Sequence, residues 1–536
     1  MIERLYSTYL QSRTVTTDSR NITPGCIFFA FKGEKFDGNA FAPQALEQGA
    51  ALCVVSNVEC GMMNDERVIV VPDVLKTLQE LAREHRRHLE IPVIGITGTN
   101  GKTTTKELVH AVLAKRYKTS ATKGNFNNHL GVPLTLLAIP QDTEIAIVEM
   151  GANHPGEIEF LCSIADPDCG LITNVGRAHL EGFGSFEGVV QTKTELYRHL
   201  AGGDLSGANP PKGKHGLVFV NADNERLMHE AEKLATIPGL RSVIPAYAPD
   251  NPAFVPSTIE KTPLSMLTYG RSQEADVRGT LIGERSKVKG ESYADAATGS
   301  DSHLSPLTSH LSPYLHFYFE VGDNVYNVHT HLLGDYNFDN CMAAVAVGLH
   351  FGVEPWDIKE AIEEYTPSNQ RSEFKETARG NRLYLDCYNA NPSSMEAAIS
   401  SFATMIGVKG SEKTNVQNIA IIGGMHELGH DERKEHKHVV EQLAECHLDR
   451  VLLVGPEWYK IENSKLKAAK DEQKANEFAF SKPSCVDGVK IENSNFMLFP
   501  DTDSVRSWLQ ANPVSGATIL IKGSNTNRLW TLEEIL

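Results

Sequence analysis

At 536 residues, with 51 basic against 68 acidic side chains and a net charge of −17, the chain is long enough for several cores and too acidic for a nucleic-acid surface. Its nine cysteines, irregularly spaced, form neither a disulfide framework nor a paired zinc pattern, so reduced and mostly buried thiols are expected. The opening MIERLYSTYLQSR lacks the apolar core of a secretory signal and no run of about 18 apolar residues follows; a cytoplasmic protein without membrane insertion is expected.

Residues 1–90 read as a small α/β domain. Short strands at Cys26 to Phe31, Ala51 to Ser56 and Arg67 to Pro72 are closed by the helical LKTLQELAREHRRHLE. A second block, 91–366, opens on a buried strand, Ile91 to Ile96, and resumes as a helix from Lys106 with apolar residues at Leu108, Val109, Val112 and Leu113. Between strand and helix, GTNGKTTTKEL reads as a phosphate loop. Gly98 and Gly101 let the backbone from Gly98 through Thr99 and Asn100 turn its amides toward an anion, and the helix adds its positive end. Lys102 supplies a movable charge, and the hydroxyl of Thr103 or Thr104 can hold magnesium. Ile96 stands where the usual pattern has its first glycine, yet ATP remains the expected ligand.

Farther on, EIAIVEMG, CGLITNVG and HGLVFVNAD alternate with helices after Pro155 and through Val189 to Leu200. That alternation predicts a mostly parallel sheet with ligands at its carboxyl ends. Glu149, ending its strand, is placed to hold the metal that screens a triphosphate, and His179 is a candidate ligand for a second ion. The stretch 271–313, rich in Ser, Gly, Ala and charge with SHLSP occurring twice, reads as a mobile insertion, and Gly202 to Lys214 as a smaller one. Strands near Leu315 to Glu320 and Val325 to His331 then precede LLGDYNFDN and an apolar helix.

The third block, 367–536, alternates RLYLDCYNANP, NIAIIGGM, RVLLVG and TILIKGS with helices, a Rossmann-like pattern without a glycine fingerprint. The fold class is thus α/β in three domains: a small N-terminal one, a central phosphate-loop ATPase domain with a mostly parallel sheet, and a C-terminal Rossmann-like one. Such an arrangement suggests an enzyme that closes on ATP.

Taken together, GTNGKTTTKEL, KGNFNNHLGVP, VEMGANHPGEI, TNVGRAHLEGFGS, QTKTEL, LLGDYNFDN and DCYNANPSSM resemble the signature series of the Mur ligases of peptidoglycan synthesis. KGNFNNHLGVP and DCYNANPSSM resemble the branch that adds D-alanyl-D-alanine; the DNPR-type motif of the branch that adds the third peptide residue is absent. The resemblance implies an ATP-dependent, ADP-forming ligase that joins D-alanyl-D-alanine to UDP-N-acetylmuramoyl-tripeptide through an acyl phosphate, acting as a monomer.

The same resemblance implies roles for single residues. Lys102 would contact the β and γ phosphates, Thr103 and Glu149 would hold one magnesium, and His179 would help to hold a second. Lys193 matches a lysine carbamylated by CO2, which turns a cation into a carboxylate-like ligand; its residues alone make it an ordinary surface lysine. Asn337 and Asn340 would lie near adenine, Arg371 would approach the phosphates and Asp386 would hold the ribose. Ser19, Arg20, Lys32 and Gly33 would face the uridine nucleotide sugar, although Asp18-Ser19-Arg20 by itself is a polar turn. Asn125, Asn128, Asn389 and Asn391 fall in the two discriminating motifs and are expected to face substrate. One position departs from the family: Gly424, in GGMHELG, stands where an aspartate is usual. The rival readings are another Mur-type or folylpolyglutamate-type amino-acid ligase, and a phosphate-loop ATPase without ligation.

Overall fold

The computed structural model describes residues 1–33, 36–57, 65–202, 216–234, 264–282, 313–367, 370–407, 416–466 and 495–536. Its contacts resolve two compact units, one made of Met1–Val175, Glu187–Val277 and Ala343–Ile358, the other of Gly176–Phe186, Arg278–Met342 and Lys359–Leu536.

In the first unit, β1 (Val15–Thr16), β2 (Ile27–Phe29), β3 (Leu52–Val55) and β4 (Val68–Val70) pair in chain order as a parallel sheet. The helix Val74–Arg87 follows. Asp73 caps it by accepting from the Lys76 amide at 2.9 Å, and His85, Arg86 and Arg87 complement its carboxyl end. Arg86, 5% exposed, pairs with Asp168 at 2.7 Å and donates to the carbonyls of Ala165 and Asp166, tying this helix to the next sheet.

That sheet comprises β5 (Val93–Thr97), β6 (Thr119–Ala121), β7 (Ile145–Glu149), β8 (Cys169–Ile172), β9 (Leu217–Asn221) and β10 (Ser265–Gly270). Their spatial order is β10-β9-β8-β5-β7-β6 and every pairing is parallel. β5 and β7 are buried at every position, as a sheet covered on both faces requires. After β5 the chain goes first to one side of that strand and later to the other. The crevice at the carboxyl ends of β5 and β8 is therefore the topological switch point. The helix expected from Lys106 starts earlier, at Lys102, directly after the loop. The helix expected through Leu200 is broken into Phe186–Lys193 and Glu195–Leu200, where the Thr194 hydroxyl bonds back to the carbonyls of Val190 and Gln191.

In the second unit, β11 (Val277–Leu281, entered at Val277 from the first), β12 (Tyr314–Val321) and β13 (Asn324–Leu333) form an antiparallel meander. Here the expected insertion needs correction. Residues 271–282 are a turn and a strand, with Val277 and Gly279 buried and Arg278 and Thr280 exposed. A period of two carries a strand even within a charged stretch. Residues 283–312, like 203–215, Cys60 and Cys485, lie outside the described residues. The seven described cysteines are free and buried.

The remaining strands are β14 (Glu373–Glu376), β15 (Arg382–Asp386), β16 (Asn418–Gly423), β17 (Arg450–Val454), β18 (Phe496–Phe499) and β19 (Thr518–Lys522). They run β14-β15-β19-β16-β17-β18, parallel except for the edge strand β14. One face packs Met395, Ile399, Val439, Leu443 and Trp458; the other packs Val505, Leu509, Leu529 and Leu532. The chain leaves β16 and β19 toward opposite faces, so their carboxyl ends make a second switch point. No helix among the described residues is long and apolar enough to cross a membrane.

Candidate functional site

The loop at the first switch point is held by backbone geometry that only glycine supplies. Gly98 has φ +141°, and a Cβ there would lie 2.0 Å from Thr173 Oγ1; Gly101, at φ +78°, turns the chain into the helix Lys102–Ala114. The strand end of β8 braces the loop. The Thr99 and Asn100 amides donate to the Asn174 carbonyl and Asn174 Oδ1, each at 3.0 Å, and Thr173 Oγ1 donates to the Asn100 carbonyl at 2.5 Å. Lys102 Nζ folds back to donate to the carbonyls of Gly98 at 2.8 Å and Thr99 at 2.9 Å. A cation and a helix amino end thus converge on the loop, which suits a polyphosphate.

Glu149 ends β7 and is 1% exposed. Its Oε1 accepts from Asn127 Nδ2 at 2.7 Å and from the Thr103 hydroxyl at 3.4 Å, whereas Oε2 is buried without a hydrogen bond, 3.9 Å from Lys106 Nζ. A carboxylate oxygen in that condition, beside a threonine hydroxyl, fits a divalent cation. No cluster of three His, Cys, Asp or Glu side chains suited to a metal occurs among the described residues. Asn127 and Lys106 escaped the sequence reading. Asn127 is the middle asparagine of KGNFNNHLGVP, and Lys106 sits one helical turn after Lys102; both signals were available in the spacing.

Lys193 is a buried residue, 2% exposed, which overturns the surface reading. Its Nζ donates to the Ala152 carbonyl at 3.3 Å. Burial, and next the charge of Lys102, push its pKa well below the ordinary lysine value, against the opposing pull of Glu195 and Glu157. Glu195 itself is engaged with the Gly156 and Glu159 amides at 2.8 and 2.9 Å, at the start of the helix Glu157–Ala165. Lys193 is thereby held toward its neutral, nucleophilic form. Asn125 and Asn128 are exposed, and Asn128 Oδ1 accepts from the amides of Leu130 and Gly131.

In the N-terminal sheet, Asp18 binds both the Arg20 amide at 3.0 Å and its guanidinium at 2.7 Å, and Arg20 holds the Asp18 carboxyl down to about 2. Ser19 lies in that turn. Lys32 faces Asp37 at 3.5 Å, and the Gly33 amide donates to the Phe36 carbonyl.

The other expected residues belong to the second unit. His179, at φ +49°, pairs through Nδ1 with Glu427. Asn337 is buried and donates to the Leu333 carbonyl at 2.7 Å, while Asn340 donates to Asn337 Oδ1 at 2.8 Å. The Arg371 guanidinium lies 3.6 Å from the centroid of the Tyr388 ring, a cation–π contact, and the flanking Gln370 and Ser372 have φ of +58° and +53°. Asp386, at the end of β15, pairs with buried Lys522 at 3.1 Å and lines a small pocket with Tyr336, Ser372 and Ser401. Asn389 lends its carbonyl to Lys522 and its Oδ1 to the Ala390 amide. Asn391 Oδ1 is committed to capping the helix Pro392–Met405 through Ser394. Gly424 leaves room that Glu457 fills, its Oε2 only 2.3 Å from where a Cβ would stand.

Three family models match the chain: Mur ligase family, catalytic domain, over 12–86; Mur ligase middle domain over 96–237; and Mur ligase, glutamate ligase domain, over 370–525. The UDP-N-acetylmuramoyl-tripeptide–D-alanyl-D-alanine ligase of Bacillus subtilis is 32% identical over 82% of this chain and 79% of its own. Its namesake in Escherichia coli is 31% identical over 83% and 82%. The solved structure of the MurF ligase of Thermotoga maritima in complex with ADP shares the fold, with a TM-score of 0.70 over 98% of this chain and 97% of that one at 23% identity.

Proposed function

The chain belongs to the Mur ligase family, and we infer from that membership that it is an ATP-dependent, ADP-forming ligase joining D-alanyl-D-alanine to UDP-N-acetylmuramoyl-tripeptide. The product is the pentapeptide precursor of peptidoglycan. The observation that carries this reading is the likeness, over most of both chains, to two ligases of that name; the glycine-dependent turn between β5 and the helix Lys102–Ala114 supports it.

In this reading a carboxylate oxygen of the peptide attacks the γ-phosphorus, the bond from that phosphorus to the β–γ bridging oxygen breaks, and ADP leaves. The amine of D-alanyl-D-alanine, having lost a proton, attacks the acyl carbon of the resulting acyl phosphate, and inorganic phosphate departs. Lys102 and Arg371 stabilise charge on the transferring group. Thr103 and Glu149 would hold one magnesium and His179 would help to hold a second, with carbamylated Lys193 as a further metal ligand; the ions would screen the triphosphate. The Glu149 oxygen that lacks a hydrogen bond supports this assignment. Burial of Lys193 supports its carbamylation: the neutral nitrogen adds to CO2 and loses a proton, leaving an anion. Asn337 and Asn340 are assigned to adenine, Asp386 to the ribose, and Ser19, Arg20, Lys32 and Gly33 to the uridine nucleotide. Of the four asparagines read as facing substrate, the exposed Asn125 and Asn128 and the loop residue Asn389 are kept; Asn391 serves first as a helix cap. Domain limits of 1–90, 91–366 and 367–536, a monomer and a cytoplasmic setting belong to the same reading.

The test incubates the full chain with ATP, Mg2+, UDP-N-acetylmuramoyl-tripeptide and D-alanyl-D-alanine. The expected result is a pentapeptide mass, for an acceptor ending in either diaminopimelate or lysine, and no product from single amino acids. Product from a single amino acid in place of the dipeptide would move the chain to another branch of the family.

A further inference from the structure

At the second switch point, the loops after β16 and β19 meet through side chains. His426 Nε2 lies 3.0 Å from Thr526 Oγ1, which lies 2.5 Å from Ser524 Oγ. A third strand end adds Glu457, in the first turn of the helix Pro456–Leu466 that follows β17. A Cβ at Gly424 would stand 2.3 Å from Glu457 Oε2, and one at Gly455 2.4 Å away, so both glycines are required for the carboxylate to turn in where it does. Oε1 lies 3.5 Å from His426 Nδ1; Oε2 is buried without a hydrogen bond, and the residue is 8% exposed. Lys460, on the same helix, is committed to Glu432 at 2.7 Å. One oxygen of this enclosed carboxylate has its acceptor capacity unfilled, a condition that favours a donor coming to it.

We propose that Glu457 is the anionic anchor of a subsite for the primary ammonium group of the second substrate, with His426, Thr526 and Ser524 as its polar wall. It supplies from position 457 the carboxylate that Gly424 lacks. A primary ammonium brings one positive charge and three donors, which one carboxylate and two hydroxyls match. A divalent metal would demand more oxygen ligands than a single carboxylate offers here. The proposal rests on the ligase reading above for the identity of the amine.

The test measures D-alanyl-D-alanine binding by calorimetry on the full chain, in parallel with ligation kinetics. Glu457→Gln keeps the shape and removes the charge. It is expected to weaken D-alanyl-D-alanine binding and raise its KM by about tenfold or more, with the melting curve and the KM values for ATP and the nucleotide peptide unchanged. N-acetyl-D-alanyl-D-alanine, lacking the ammonium, is expected not to bind. Gly424→Asp alone is expected to lose binding, because its Cβ meets the Glu457 carboxylate; paired with Glu457→Ala it is expected to restore binding that Glu457→Ala alone loses. Wild-type affinity in Glu457→Gln, no dipeptide binding by the wild type, or a double variant as weak as Glu457→Ala would each overturn the proposal. Charge-dependent binding without pentapeptide formation would instead count against the ligase reading, leaving the subsite in place.

Discussion

The carboxyl ends of the two large parallel sheets solve opposite problems with the same architecture. Both lie at a switch point; in the reading proposed above the end of β5 and β8 takes an anion, whereas the end of β16 and β19 presents a buried carboxylate. At the first, the amides of Thr99 and Asn100, expected to face an anion, are spent on Asn174, which leaves the helix amino end and Lys102 to supply the field; glycines must still stand at fixed places along a few consecutive residues. At the second, the charge comes from side chains, and Gly424, His426, Gly455, Glu457, Ser524 and Thr526 arrive from three separate loops. An anion cradle made of backbone leaves a compact trace in the sequence; a cation cradle made of side chains leaves a dispersed one.

The largest expected effect lies at the anion cradle. Lys102→Ala should lower ligation by about a thousandfold or more, measured as pentapeptide formed per minute, because it removes the loop's movable charge. Gly98→Ala should abolish ADP binding by calorimetry, since its Cβ would collide with Thr173 Oγ1 at 2.0 Å. An alanine at 98 that still bound ADP would break the claim that backbone geometry makes this end.

Lys193→Ala should come next, lowering ligation by about a hundredfold, with partial recovery when a short carboxylate such as acetate is added. Activity without rescue would remove the carbamate assignment. Glu149→Ala tests the buried pair with Lys106 and should lower stability in urea unfolding by about 1–3 kcal/mol, because buried Lys106 keeps Glu107, at 3.8 Å, as a partner. Glu149→Gln should cost less.

These residues also show how far the sequence could be read. The strand, loop and helix around Lys102 were legible because glycine spacing and apolar periodicity are local. Glu149 was legible for the same reason, as the last residue of an apolar strand. Lys193 was not, since its helix carries no mark that its lysine points inward; only the resemblance singled it out. Asn127 and Lys106 lie at legible spacings, in KGNFNNHLGVP and one helical turn after Lys102, but their approach to Glu149 is a tertiary contact that spacing does not announce. β11 hides in its charged, small-residue composition, and only the alternation of Val277 and Gly279 with Arg278 and Thr280 betrays it. Glu457 was beyond reach: nothing near it in the chain announces that two glycines, one 33 residues upstream, clear its place.

A gentler effect should appear in the pH dependence of stability. Lys193 has a depressed pKa in the folded chain, so the unfolded chain binds more protons between that value and the ordinary lysine range. Stability should therefore rise with pH across this window. Lys193→Met should be more stable than the wild type at pH 7, with the gap narrowing toward pH 10, in paired denaturant titrations made without CO2. The smallest structural effect is expected at Arg20, whose pair with Asp18 is exposed. Arg20→Ala should leave the melting temperature unchanged while raising the KM for the nucleotide sugar.

The most direct test of the central claim follows oxygen. With the acceptor carboxylate of UDP-N-acetylmuramoyl-tripeptide labelled with 18O, the expected result is one labelled oxygen in the released phosphate for each pentapeptide formed, because the carboxylate itself attacks the γ-phosphorus. Unlabelled phosphate, released at a rate indifferent to both peptide substrates, would contradict it.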